Sequence, residues 1–129
     1  MCLSTLEGHT GPVTAAAWSA DAQAVVSSSS DRTARVWELH GLQRCTVLRG
    51  HADAVTAVAV SADGRLLGTA SRDGTARVLD MRLVGEGMAT STHRHDSPVY
   101  SVAYSPDGRS VVTASADGTA IVWVGKGGE

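Results

Sequence analysis

Apolar residues along this chain gather in short runs, each closed by a small polar cluster. PVTAAAW (12–18), AVTAVAV (54–60) and PVYSVAY (98–104) are built of small, β-branched and aromatic residues and are of strand length. SADA, SADG and SPDG follow them, with Ser, Asp, Pro and Gly where a type I turn uses them. A second strand such as LLGTAS (66–71) leads into RDG (72–74), a tight hairpin turn, and a third strand follows as TARVW, TARVL or TAIVW. A fourth, more polar strand is expected before each of His9, His51 and His95, at 2–6, 44–48 and 87–92. Gly and Asp fall at the turns, and no stretch sustains a helical period. The pattern predicts an all-β chain with about four strands in every 42–44 residues.

The same phrase is written three times. Aligned on His9, His51 and His95, windows 6–39, 48–81 and 92–125 superpose without internal gaps, and only the second connection is longer, by two residues. Asp31, Asp73 and Asp117 each follow their histidine by 22 residues, and Trp37, Leu79 and Trp123 follow that aspartate by six. Val13/Val55/Val99, Ser19/Ser61/Ser105, Asp21/Asp63/Asp107, Thr33/Thr75/Thr119 and Val36/Val78/Val122 keep the register between these anchors. Self-similarity at such a period marks a repeat architecture, so residues 1–129 are read as one repeat region.

Composition narrows the partners. The chain has 129 residues, 43% of them apolar, and a net charge of −2. Ten of its eleven basic residues are Arg and they are scattered, so neither nucleic acid nor an anionic membrane is implied as a partner. No apolar run approaches the roughly 18 residues that a spanning helix needs. MCLSTLEGHTG lacks the basic and long apolar regions of a cleaved signal peptide. Cys2 and Cys45 are too few for a disulfide framework or a zinc site, which points to free thiols in the cytoplasm, with the nucleus as the other compartment.

GH, then SADGR or SPDGR, then D-G-T-A-x-V-W: these residues resemble the WD40 repeat family across residues 2–124. The resemblance implies a β-propeller of four-stranded blades arranged radially, of which this chain carries three. It also implies a buried polar chain in each blade, from turn Asp to His, His to strand Ser or Thr, and hydroxyl to indole N–H. The matching sets are His9, Ser27, Asp31 and Trp37; His51, Thr69 and Asp73; and His95, Thr113, Asp117 and Trp123. In the middle blade Leu79 cannot donate, so Thr69 loses a partner at a cost of roughly 1 kcal/mol, and Leu79→Trp is expected to stabilise the fold. Taken alone, His9, Ser27 and Asp31 look like a hydrolase triad. The set recurs three times and its hydroxyl lies within a strand, whereas one active site needs one set on a strained elbow. No catalytic residue is therefore assigned.

Other features carry less. HRH at 93–95 puts His93 and His95 on one face if extended, but no carboxylate or Cys stands beside them, and no metal or other cofactor is expected. In SSSS (27–30), Ser27 and Ser29 hold repeat positions and only Ser30 is free for modification. Trp18 and Tyr104, matched by Val60, are expected in the core.

Similarity to the family implies an interaction scaffold or adaptor that binds protein partners through top-face loops, with specificity in the positions that vary between repeats. Those positions are Pro12, Thr14 and Ser30; Ala54, Thr56 and Arg72; and Pro98, Tyr100 and Ala116, with Arg72 and Tyr100 the best anchors. The rival class, a propeller enzyme or small-ligand binder, would need unrepeated carboxylates converging on the axis, and Glu7, Glu38 and Glu86 are isolated. Three blades fall short of a closed ring of about four to eight. The N-terminal strand is of the outer type that the third blade lacks. A homodimer that closes six blades by exchanging this strand is expected, the alternative being blades supplied by another chain or by a longer WD40 protein of which this is a piece.

Overall fold

The computed structural model describes residues 2, 4–41, 44–82 and 91–124. Among them are eleven strands: β1 (Val13–Trp18), β2 (Ala24–Ser29), β3 (Ala34–Glu38), β4 (Cys45–Leu48), β5 (Val55–Val60), β6 (Leu66–Ser71), β7 (Thr75–Asp80), β8 (Ser91–Arg94), β9 (Val99–Tyr104), β10 (Ser110–Ser115) and β11 (Ala120–Val124). They form three antiparallel sheets, ordered β1-β2-β3-β4, β5-β6-β7-β8 and β9-β10-β11. Each sheet is one repeat, and the three stack as successive blades. This is an all-β fold of partial propeller type.

The period-2 alternation of a strand supplies both faces of each blade. In β1, Ala15 and Ala17 are half-buried against the second blade, whereas Ala16 and Trp18 point outward. One core lies between blades 1 and 2, around Val26, Val36, Leu48, Val58, Leu67 and Leu79. A second lies between blades 2 and 3, around Ala70, Val78, Val99, Val102 and Val111. A sheet with two apolar faces must be covered twice, and only the middle blade is.

One irregularity recurs in every blade. The register between the first and second strands slips between Val13 and Ala15, between Val55 and Ala57, and opposite Ala114 and Ser115. The skipped residues are Thr14, Thr56 and Tyr100. Such a bulge re-aims a side chain. Here Thr14 and Thr56 donate 2.6 Å hydrogen bonds to the carbonyls of Val55 and Val99 in the next blade, tying neighbouring sheets together.

The structure corrects the strand, turn and core expectations in four places. Residues 2 and 4–6, expected as a strand, carry none; residues 4–6 run past Trp37, Glu38 and Leu39 instead of along a sheet edge. The third blade accordingly has three strands. The strand expected at 87–92 lies at Ser91–Arg94, with 87–90 outside the described residues. Gly68 sits inside β6 and Asp80 ends β7, so Gly and Asp are not confined to turns. A Cβ on Gly68 would stand 3.0 Å from Val102 and 3.3 Å from the Tyr104 ring, so the glycine makes room for the blade behind it. Trp18, expected in the core, is 62% exposed, because the blade that would cover it lies outside the chain's own three.

Candidate functional site

The loops at one edge of the blades are held by the repeated polar sets. A carboxylate only accepts, so Asp31 Oδ2 at 2.8 Å places the proton of His9 on Nδ1. Nε2 then accepts from the Ser27 hydroxyl at 2.7 Å, and Ser27 in turn accepts the Trp37 indole N–H at 2.8 Å. In the third blade His95 lies 3.0 Å from Asp117 and 2.7 Å from Thr113, which receives Trp123 at 2.8 Å. The middle blade repeats the first two links, His51 to Asp73 at 3.0 Å and to Thr69 at 2.7 Å. Leu79 fills the indole's place without a donor.

Each aspartate does more than meet its histidine. Asp31 Oδ1 accepts the backbone N–H and hydroxyl of Thr33, and Oδ2 accepts the N–H of Thr10. Asp73 and Asp117 have the corresponding bonds from Thr75 and Ala52, and from Thr119 and Asp96. At Asp73 burial favours the neutral acid. It is outweighed by the Thr75 hydroxyl, the Ala52 N–H and the His51 ring, which together hold the carboxyl at about 2. Asp31 is depressed further by the same balance. Asp117 is likewise well below the usual carboxylate range, chiefly through the Thr119 hydroxyl. His51 is pushed down by burial, against the pull of Asp73.

The connectivity of these sets is that of a catalytic triad, but the hydroxyls are sealed. Ser27, Thr69 and Thr113 are 6%, 2% and 1% exposed, and two of the three oxygens already receive an indole N–H. A nucleophile must reach a substrate carbonyl, and these have no approach. His93 and His95 do share a face, but both lie against Trp123. His93 stacks on the ring at 4.5 Å and His95 meets it edge-on at 6.2 Å, and both ring nitrogens of His95 are already engaged, by Asp117 and Thr113. Among the described residues no cluster of three or more potential metal ligands occurs.

Of the residues expected on the top face, Pro12, Thr14, Ser30, Arg72, Tyr100 and Ala116 are exposed, and Thr56 and Pro98 are half-buried. Ala54 is only 8% exposed, and its carbonyl receives Arg72 N–H at 2.9 Å, so it lies beneath the loop rather than on it. The hydroxyls of Thr14 and Thr56 are engaged in the blade joints, as described above. The side chains of Arg72 and Tyr100 have no hydrogen-bond partner among the described residues, and Tyr100 is 47% exposed.

Sequence reasoning passed over one support. Ser29, Ser71 and Ser115 each receive the N–H of the turn aspartate at 3.1 Å and donate back to carbonyls at the start of the blade, fixing the loop from beneath. Their recurrence two residues before each aspartate was the available signal. At the opposite edge, a cleft of about 650 Å³ opens beside Asp21, Glu38, His40 and Asp63. Asp21 and Asp63 there serve their own turns, accepting from Ser19 at 2.6 Å and Ser61 at 2.7 Å.

Comparison with known families agrees with the geometry. The family described as WD domain, G-beta repeat matches residues 1–38, 42–80 and 88–124. No protein of curated function matches the chain closely enough to count as a relative.

Proposed function

The chain belongs to the WD40 repeat family, and from that premise we propose that it is a non-catalytic adaptor that holds a protein partner on the loops carried by its turn aspartates. Repeats of this family serve in general as protein-interaction scaffolds. One observation supports the finer reading above the others: an invariant frame carries exposed positions that differ in every blade. Asp31, Asp73 and Asp117 are bonded alike, while the residues just before them are Ser30, Arg72 and Ala116. Loops fixed in advance lose little entropy on binding, which is how a rigid surface gains affinity. Arg72 offers a planar fork to a carboxylate and Tyr100 a large amphipathic ring, the residue types that carry most interface energy. The sealed hydroxyls of the three polar sets favour an interaction role over hydrolysis. Cys2 and Cys45 are both free and exposed, which suits work in the reducing cytoplasm or nucleus.

The test is selection of peptides from a random displayed library on the wild-type chain. Selected peptides should bind Arg72→Ala/Tyr100→Ala more weakly by about tenfold or more, at an unchanged melting temperature. Peptides whose affinity ignores both substitutions would place recognition elsewhere and sink this reading.

A further inference from the structure

We propose that the two uncovered blade faces complement one another, and that a second copy of this chain occupies both, blade 1 of each copy stacking on blade 3 of the other. The repeat register carries the argument. At the joint between blades 1 and 2, Val36 is buried at 7% exposure, and at the joint between blades 2 and 3 its equivalent Val78 is buried at 9%. The third equivalent, Val122, is 67% exposed and has Val112 and Val124 beside it in the open. The opposite faces behave in the same way: Val55 and Val99 are fully buried, whereas Val13 is 58% exposed on the face that bears Trp18. Each open face is thus half of a joint that the chain forms twice within itself. The occupant argued for is the other half of that joint, continuous with two interfaces already present.

The side chains fit this reading. In the second joint Tyr104 fills the space left by Gly68. In the proposed joint Val112 stands where the second joint has Gly68 and the first has Val26, and Trp18 stands where they have Tyr104 and Val60. The small Ser110 stands where they have Leu66 and Ala24, so the bulk added by Val112 is set off by Ser110 on the same blade. The internal joints also carry the threonine bonds across the blades. The closing joint has Tyr100 at that position, a built-in difference between internal and closing seams.

The backbone supplies a second, independent line. Residues 4–7 run past Trp37 without a strand partner. In blade 2, His93 of the outer strand lies over Trp123 of the following blade in the same relation, and Leu48 and Arg49 lie beside Leu79. Residues 4–7 therefore occupy the place of an outer strand that pairs with none of the three described sheets, and Leu6 is 39% exposed where its equivalent Leu48 is 6%. Among the described residues no strand pairs with the outer edge of β11 in the three-stranded sheet. In the assembled pair this edge takes residues 4–6 of the other copy, with Ala120 facing Leu6 and Val122 facing Ser4, as Ala34 faces Leu48 and Val36 faces Thr46 in blade 1. Two copies then give six blades, inside the range of about four to eight that closes, and no edge is left to template aggregation. Each seam joins unlike faces, and the two seams are exchanged by a two-fold axis, so the pair closes after two copies.

Light scattering after size exclusion tests this on the 129-residue chain. The expected mass is twice 13.3 kDa. Trp18→Lys and Val122→Glu, at positions already open to solvent, should each halve that mass. Mixing the two variants should restore the pair, because one of its two seams is then wild type on both sides. A back-to-back dimer using one shared patch would not be rescued in this way. A monomeric wild-type chain, a polydisperse one, or a dimer indifferent to both substitutions would overturn the proposal. So would variants that fail to pair when mixed. The proposal goes beyond the adaptor reading and fails separately from it. Tyr100 stands at the closing seam, but Arg72 lies on neither face, so Arg72→Ala alone tests peptide binding without touching the seam, and the mass measurement involves no peptide.

Discussion

At the scale of single residues, two backbone positions depart from the repeat they sit in. Ala22 (φ 62°) stands where the other copies have Gly64 (φ 75°) and Gly108 (φ 73°), and Arg32 (φ 75°) stands where they have Gly74 (φ 87°) and Gly118 (φ 89°). A side chain in the left-handed region costs about 1–2 kcal/mol, part of which glycine returns through the freedom of its unfolded chain. Ala22→Gly and Arg32→Gly should each raise stability by about 0.5–1 kcal/mol in urea melts, an inversion of the usual penalty for glycine. Leu79→Trp runs the other way. From sequence it restores a donor worth roughly 1 kcal/mol. In the structure Leu79 is 4% exposed, and the void beside it, bounded by Ala34, Leu48 and Arg49, is about 10 Å³. Overpacking costs about 1–3 kcal/mol, so the substitution is now expected to lower the melting temperature by a net cost of about 1 kcal/mol. A rise in melting temperature would show that the arginine stems yield to the indole.

At the scale of the elements, the polar sets make each hairpin's stability depend on pH. Asp73 is held at about 2 in the fold, against an ordinary value of 3.8. Its stabilisation is complete above the ordinary value and disappears as pH falls through about 2. Asp31 and Asp117 shift in the same direction. His51, pushed below 6.5 by burial, binds a proton more readily unfolded, so its contribution is present above about pH 6.5 and erodes beneath it. The melting temperature should decline gently from about pH 6.5 and steeply below about pH 4. Asp73→Asn should lower the plateau and flatten the acid limb, and an acid limb unaltered by this change would remove the carboxylate from the account. Between elements, Gly68→Ala sets a methyl against Val102 and Tyr104 and should cost about 1–3 kcal/mol by the same melts.

At the scale of the whole molecule, what the sequence conveyed and what it withheld divide along one line. Most strands and turns were legible because each is decided inside a repeat and three copies of one phrase expose the pattern. The polar sets came with the resemblance to the WD40 family, and the supporting Ser29, Ser71 and Ser115 went unread although they recur in the same way. Trp18, Leu6 and Val122 were not legible in this way, because their burial depends on a neighbouring blade, and repeat position alone does not say whether that neighbour is present. The bulge that sends Thr14 and Thr56 across to Val55 and Val99 was hidden for the same reason: its purpose lies in the adjoining sheet. Protection against hydrogen exchange should follow this division. The central blade is covered on both faces, and β6 is buried along nearly its whole length, so its amides should exchange most slowly and only by global opening. Amides on the outer edge of β11 have no strand partner among the described residues and should exchange fast in dilute solution. If the two open faces meet in a second copy, raising the chain concentration should slow exchange in β11 and β1 and lift the melting temperature, because association draws on the folded state alone. Exchange in β11 that is fast at every concentration would leave the open faces to a partner other than this chain.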